Sequence, residues 1–120
     1  MKIAEHHIPY TYQESKRVFE DNLTVKEAAG NIHKNCDIKI NSCSDYVYYF
    51  RYLMTGMGSC RLLNSYTQEY YLKEIKRDYD KKQFTKSLEA FYKLLRRFEE
   101  QNNSNKKSMR SIHEKYTKQV

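Results

Sequence analysis

Tryptophan is missing from the chain altogether, proline occurs once and glycine three times in 120 residues. A sandwich or barrel of short strands needs a turn every few residues, and such turns draw heavily on glycine and proline. Their scarcity argues for helices. No run approaches the ~18 consecutive apolar residues of a membrane span, so no membrane role is expected. The stretch from Met1 to Tyr10 lacks the apolar core of a secretory signal. Cysteine is sparse as well: Cys36, Cys43 and Cys60 form an odd set, ill suited to a disulfide scaffold. The expectation is a cytoplasmic, reducing setting with free and mostly buried thiols.

Signatures of catalysis are equally scarce. The chain has no Gly-rich phosphate loop, no His-Glu-x-x-His and no Gly-x-Ser-x-Gly. His33-x-x-Cys36 followed by Cys43 and Cys60 supplies four residues of types that zinc accepts, but without a paired Cys-x-x-Cys. No catalytic, cofactor-binding or metal-ligating residue is therefore expected, and the chain reads as a non-enzyme.

What the chain does have is aromatic rings and uneven charge. Twelve Tyr and five Phe lift the burial capacity of a sequence that is only 39% hydrophobic, because each ring covers far more area than Val or Ala. Residues 1–60 carry seven basic and seven acidic side chains, whereas residues 61–120 carry fifteen and eight, so the whole net charge of +7 lies in the second half. Such asymmetry points to a polyanionic partner or to a merely solubilising surface.

Helix starts are marked by a capping residue followed three positions later by an acid or amide: Thr11–Glu14, Thr24–Glu27, Ser42–Asp45 and Asp80–Gln83, with a fifth at Asn64 or Ser65. The fold expected is all-α, a compact bundle of about five helices over about 12–21, 25–35, 43–55, 65–79 and 81–100. The first has a weak inward stripe of Ser15, Val18, Phe19 and Asn22. Helix two offers Val25, Ala28, Ala29 and Ile32. An extended connection, 37–41, is expected to pin Ile38 and Ile40 to the core. Helix three turns Tyr46, Tyr49, Phe50, Leu53 and Met54 inward and ends at Gly56; helix four buries Tyr71, Leu72, Ile75 and Tyr79. In helix five, Phe84, Leu88, Phe91, Leu95 and Phe98 alternate steps of four and three, one continuous seam. A polar break at 101–105 separates a helical domain, 1–101, from a polar linker and basic tail, 102–120. There Met109, Ile112 and Tyr116 hint at a short sixth helix.

Helices two and three sketch a helix-turn-helix, although the connection expected between them is longer than the usual 3–4 residues. In that motif the start of helix three (Ser42, Ser44, Asp45, Tyr48) would meet the nucleic acid; a plain helical hairpin is the competing reading. With the third stripe inward, Tyr48, Arg51 and Tyr52 are expected to face out together, and Tyr66 with Tyr70 repeats the arrangement on helix four. Tyr and Arg are enriched at interfaces and at phosphate or base contacts, yet half-buried core is an equally good use of Tyr. Lys73, Lys76 and Arg77 share a side of helix four, and Lys93, Arg96 and Arg97 share the outer face of helix five. Together with Lys106, Lys107 and Arg110 they form a candidate surface for tracking a phosphate backbone.

The run Lys26-Glu-Ala-Ala29, Ile38, Ser44-Asp-Tyr46, Phe50-Arg-Tyr-Leu53 and Gly56 resembles the N-terminal helical module of bacterial restriction-type HNH endonucleases. So do Arg61-Leu-Leu-Asn64, Tyr70-Tyr-Leu72, Ile75, Leu88 and Phe98-Glu99. The resemblance spans about residues 20–100. The nuclease half, with its paired His and Asn around a metal, has no counterpart in this chain. What the resemblance implies is a non-catalytic domain accessory to a restriction-type or other DNA-processing nuclease, with DNA or another nucleic acid as partner. The alternative is a protein-interaction or dimerisation module, one version of which is a small phage-type inhibitor of a defence nuclease.

Overall fold

A computed structural model of the chain describes residues 5–58, 60–102 and 106–120. Among these, a short 3-10 turn (Glu5–His7) leads into six helices: α1 (Ile8–Glu20), α2 (Val25–Cys36), α3 (Ile40–Thr55), α4 (Ser65–Asp78), α5 (Lys81–Asn102) and α6 (Lys107–Thr117). The described residues contain no strand. The radius of gyration is 13.8 Å, against about 13.5 Å for one folded body of this length.

The first helix departs most from expectation. It starts four residues early, at Ile8, with Pro9 in its first turn, where a missing N–H costs nothing and a fixed φ helps. Thr11 therefore lies inside the helix and caps nothing: its hydroxyl donates to the Ile8 carbonyl at 2.8 Å. Glu14 is buried, accepting from Asn31 at 2.7 Å and from Arg17 at 3.0 Å. The helix consequently rolls so that Ile8, Thr11, Tyr12 and Ser15 face inward, while Val18 is half-buried, Asn22 is exposed and Phe19 is 43% exposed.

The Thr24–Glu27 capping box forms in full, with both side chains bonded to the reciprocal backbone N–H. Asp37 then takes the left-handed conformation (φ 50°) and ends α2, a role that Asp tolerates better than most residues. Only 37–39 separate α2 from α3, so the connection is shorter than expected. Ile38 is buried, but Ile40 is the first residue of α3 and 49% exposed. Ser42 lies inside α3 rather than at its cap, since Lys39 precedes the helix and makes no side-chain cap bond.

Helix α3 is the central element. It packs against α1, α2 and α5, and buries Cys43, Tyr46, Val47, Tyr49, Phe50, Tyr52, Leu53 and Met54 before Gly56 stops it at φ 70°. Asn64 caps α4, accepting the Thr67 N–H at 2.8 Å, and Asp80 receives the Gln83 N–H at 2.8 Å as α5 begins. The seam of α5 is buried from Phe84 to Leu95, with Phe98 half-buried. Helix α5 continues through Asn102, two residues into the expected break; residues 103–105 of that break, like 1–4 of the N-terminal stretch, lie outside the described residues. The C-terminal stretch forms the sixth helix: Met109, Ile112 and Tyr116 of α6 are buried, with the Tyr116 ring edge-on to Phe84 at 6.3 Å.

Hydroxyl groups join the two halves of the chain. Tyr71 and Thr11 share a bond at 2.9 Å, Tyr12 donates to Asp78 at 2.9 Å, and Tyr49 donates to Gln68 at 3.1 Å. Tyr79 also donates to Glu20. The polar tip lets each ring fill a core position while its hydroxyl is satisfied.

Candidate functional site

The inward seam of α5 fixes what the helix shows to solvent. Lys82, Lys86, Glu89, Lys93 and Arg96 are all exposed and follow steps of four and three, so they fall on one stripe about 21 Å long. Lys81 and Arg97 are exposed beside it. Among the described residues, Lys82, Lys86, Lys93 and Arg97 have no carboxylate partner; Arg96 meets Glu100 at 3.6 Å between two exposed side chains. Exposed pairs of that kind hold little energy. Sequence reasoning singled out Lys93, Arg96 and Arg97 but passed over Lys82 and Lys86, although the stripe complementary to the Phe84–Phe98 seam contains both.

Cations of α4 and α6 are differently placed. Arg77 is held by Glu74 at 2.6 Å and Asp78 at 3.1 Å. Arg110 grips Glu99 through two guanidinium nitrogens, at 2.5 and 2.6 Å. Those bonds, with the Lys106 N–H as a third donor, hold the Glu99 carboxyl below its usual range. These two arginines thus serve neighbouring carboxylates first. Lys73 and Lys76 are exposed, with Lys76 donating to Gln119. Lys106 and Lys107 border a cleft of about 490 Å³ whose opposite wall is Leu62, Leu63, Asn64 and Ser65.

The group expected on α3 divides. Arg51 is exposed and lies over the half-buried Tyr48 ring, 4.8 Å from its centroid. Tyr52, although one turn beyond Tyr48, is turned into the core and only 1% exposed. The reason is that α3 is packed by helices on three sides, so it buries two adjacent stripes where its periodicity marked one. The buried Tyr52 hydroxyl finds no hydrogen-bond partner among the described residues, and the Arg97 guanidinium sits 5.9 Å from its ring. Arg51 also borders a groove of about 300 Å³ between α1 and α3, floored by Val18, Phe19, Val47 and Phe50. On α4, the Tyr66 and Tyr70 rings lie within 16° of parallel, centroids 6.4 Å apart. The connection of three residues between α2 and α3 has the length of a helix-turn-helix, and the residues of α3 that the core leaves uncovered or half-covered are Ile40, Asn41, Ser42, Ser44, Asp45, Tyr48, Arg51 and Thr55.

The residues weighed as zinc ligands do not gather. His33 Nδ1 donates to the Ile38 carbonyl at 2.6 Å, and the Cys43 thiol bonds the Lys39 carbonyl at 3.3 Å. Among the described residues, no three His, Cys, Asp or Glu side chains could hold a metal ion together. Burial pushes the thiols of Cys43 and Cys60 up to about 11, which keeps them protonated near neutral pH, where a nucleophile or metal ligand needs a thiolate. No helix among the described residues is long and apolar enough to cross a membrane. Comparison of the chain with protein-family models, with curated proteins and with solved structures gives no match in any of the three.

Proposed function

We propose that the protein is a non-catalytic domain that binds the phosphate backbone of nucleic acid through the outer stripe of α5. One observation carries this reading: Lys82, Lys86 and Lys93 stand on a single exposed stripe with no carboxylate within ion-pair distance among the described residues, while Arg77 and Arg110 elsewhere are neutralised by their neighbours. Glu89 is the one acid on that stripe and, among the described residues, forms no ion pair with its lysines. Lys82 and Lys86, one turn apart, repel each other mildly, and a phosphate chain relieves that repulsion while releasing its own counterions. The resemblance of residues 20–100 to a nuclease-associated module would make DNA the partner and place the domain beside a DNA-processing enzyme.

Fluorescence anisotropy with labelled 20-mer DNA tests this reading. Four phosphate contacts imply a log–log salt slope of about −2.8 to −3.6, a roughly 50- to 150-fold loss of affinity between about 50 and 200 mM salt. The triple substitution Lys82→Glu, Lys86→Glu, Lys93→Glu should abolish binding while helicity by circular dichroism is kept. No binding at low salt, or a triple variant that binds like the parent, defeats the reading.

The protein-interaction reading rests on a different surface, the α1–α3 groove with its exposed Phe19 and its Arg51 rim. A complex or homodimer built there would respond little to salt and would be lost on Phe19→Asp. Light scattering across a concentration series reads the homodimer directly.

A further inference from the structure

The geometry points to a base-stacking site on α4, made by Tyr66, Tyr70 and Lys73, that takes an unpaired nucleobase and so favours single-stranded over duplex nucleic acid. This inference rests on the nucleic-acid reading above and adds to it the form of the ligand.

Tyr66 and Tyr70 are four residues apart, so their Cα atoms stack one turn apart on the same side of the helix. Tyr71, Leu72 and Ile75 take the inward positions, which leaves this pair on the outer side. Tyr66 is 43% exposed, and the ring contact it makes is the near-parallel one with Tyr70. Tyr70 is fixed from behind: its ring meets the buried Tyr12 edge-on at 6.0 Å. One ring of the pair is thereby pre-oriented by the core, and the other extends the aromatic surface outward. Few places on the described surface present two parallel rings to water, and a π-face of this kind is what an unstacked base seeks.

Charge around the rings suits a nucleotide, because the buried Glu74 beside Tyr70 is paired with Arg77 at 2.6 Å. A concavity of about 130 Å³ is lined by Tyr66, Glu69, Tyr70 and Lys73. Glu69 is the one acid in that lining, and its carboxylate is already engaged by Lys115 Nζ at 2.7 Å and by the Tyr116 hydroxyl at 3.0 Å. Lys73 is exposed, has no ion-pair partner among the described residues, and follows Tyr70 by three residues. A base lying on the rings would put its flanking phosphate toward the Lys73 ammonium. In a duplex each base is stacked on both faces and paired at its edge, so the rings have nothing to receive; a single strand can turn a base out at little cost.

The experiment uses the full chain with fluorescein-labelled dT20 and with a labelled 20-bp duplex, at low salt. Tyr66→Ala should weaken dT20 binding roughly 5- to 150-fold, the range for losing one stacked base, and leave duplex binding as it was. Tyr66→Phe should restore the parent affinity, because stacking needs the ring and not the hydroxyl. Lys73→Met should make the salt slope shallower by about 1. Tyr66→Trp gives the chain its sole tryptophan, whose emission dT20 should quench and duplex should not. Unchanged dT20 affinity in Tyr66→Ala, or equal competition by duplex, overturns the stacking site. If binding then still depends on Lys82, Lys86 and Lys93, the α5 reading stands without it; if neither dT20 nor the duplex binds, both fall.

Discussion

Residues 1–60 balance seven cations against seven anions, whereas residues 61–120 set fifteen against eight. The central helices of the two halves differ in a matching way. In α3 the core is built from phenols, Tyr46, Tyr49 and Tyr52, together with Phe50, while the α5 core is Phe and Leu with Ala90 and a single buried hydroxyl, Ser87, which accepts from Gln83 of the same helix. A buried phenol demands a partner in a set direction, so the orientation of α3 is tied to acceptors such as Gln68. A Phe–Leu seam is held by packing alone and makes no demand on the helix's far side. That freedom is what lets α5 carry a row of uncompensated lysines on its outer face.

The largest expected effect exposes the phenolic core as a whole. Burial raises the phenols of Tyr49 and Tyr71 well above their ordinary value of 10.0, and burial with the Asp78 bond raises Tyr12 likewise. A group whose proton is held more tightly in the folded state contributes stability that is present below its ordinary value and is lost as the pH rises past it. Titration above pH 10 should therefore show phenolate absorbance appearing together with a cooperative loss of helix. Ionisation of all twelve tyrosines near pH 10 with helicity intact would contradict the core described here.

Next in size is a cavity in the apolar seam. Phe91→Ala, at a fully buried position, should cost about 3–5 kcal/mol in urea unfolding. Cutting one phenolic bond is milder: Tyr49→Phe keeps the ring but leaves the buried Gln68 Oε1 without its donor, for a loss of about 1–3 kcal/mol. The smallest effect has the opposite sign. Because the Tyr52 hydroxyl is buried without a partner, Tyr52→Phe should be neutral or stabilise by up to about 1 kcal/mol. No loss in Tyr49→Phe would show that the phenols act through their rings alone and would erase the contrast between α3 and α5.

How far the sequence revealed this arrangement depended on whether the signal was local. The Thr24–Glu27 box, the Asn64 and Asp80 caps, the Gly56 stop and the α5 seam each depend on residues within a few turns, and each appears where expected. The α1 start was hidden because two signals competed. Thr11–Glu14 has the spacing of a capping box, but Pro9 starts the helix first and tertiary contacts then take up both side chains. Ser42 misled in the same manner. Tyr52 was misplaced because the number of neighbours around α3 is a property of the assembled bundle, invisible to a single-helix periodicity. On the surface, charge and exposure of the α5 cations followed from the seam, and Glu74 and Asp78 lie close enough in sequence to Arg77 for its capture to be local, but the capture of Arg110 was not legible, since Glu99 lies eleven residues away on another helix.

The hydroxyl bonds between halves also bear on how the chain folds as it is made. Synthesis proceeds from the N-terminus at about 5–20 residues per second, so α1 and α3 leave the ribosome before any of their partners in α4. Thr11, Tyr12 and Tyr49 pair with Tyr71, Asp78 and Gln68, which lie 60, 66 and 19 residues downstream. Until those residues emerge, water must serve the same hydroxyls. The nascent first half, α1 to α3, then carries wet phenols on its sticky face, and the arrival of α4 is the event that dries them.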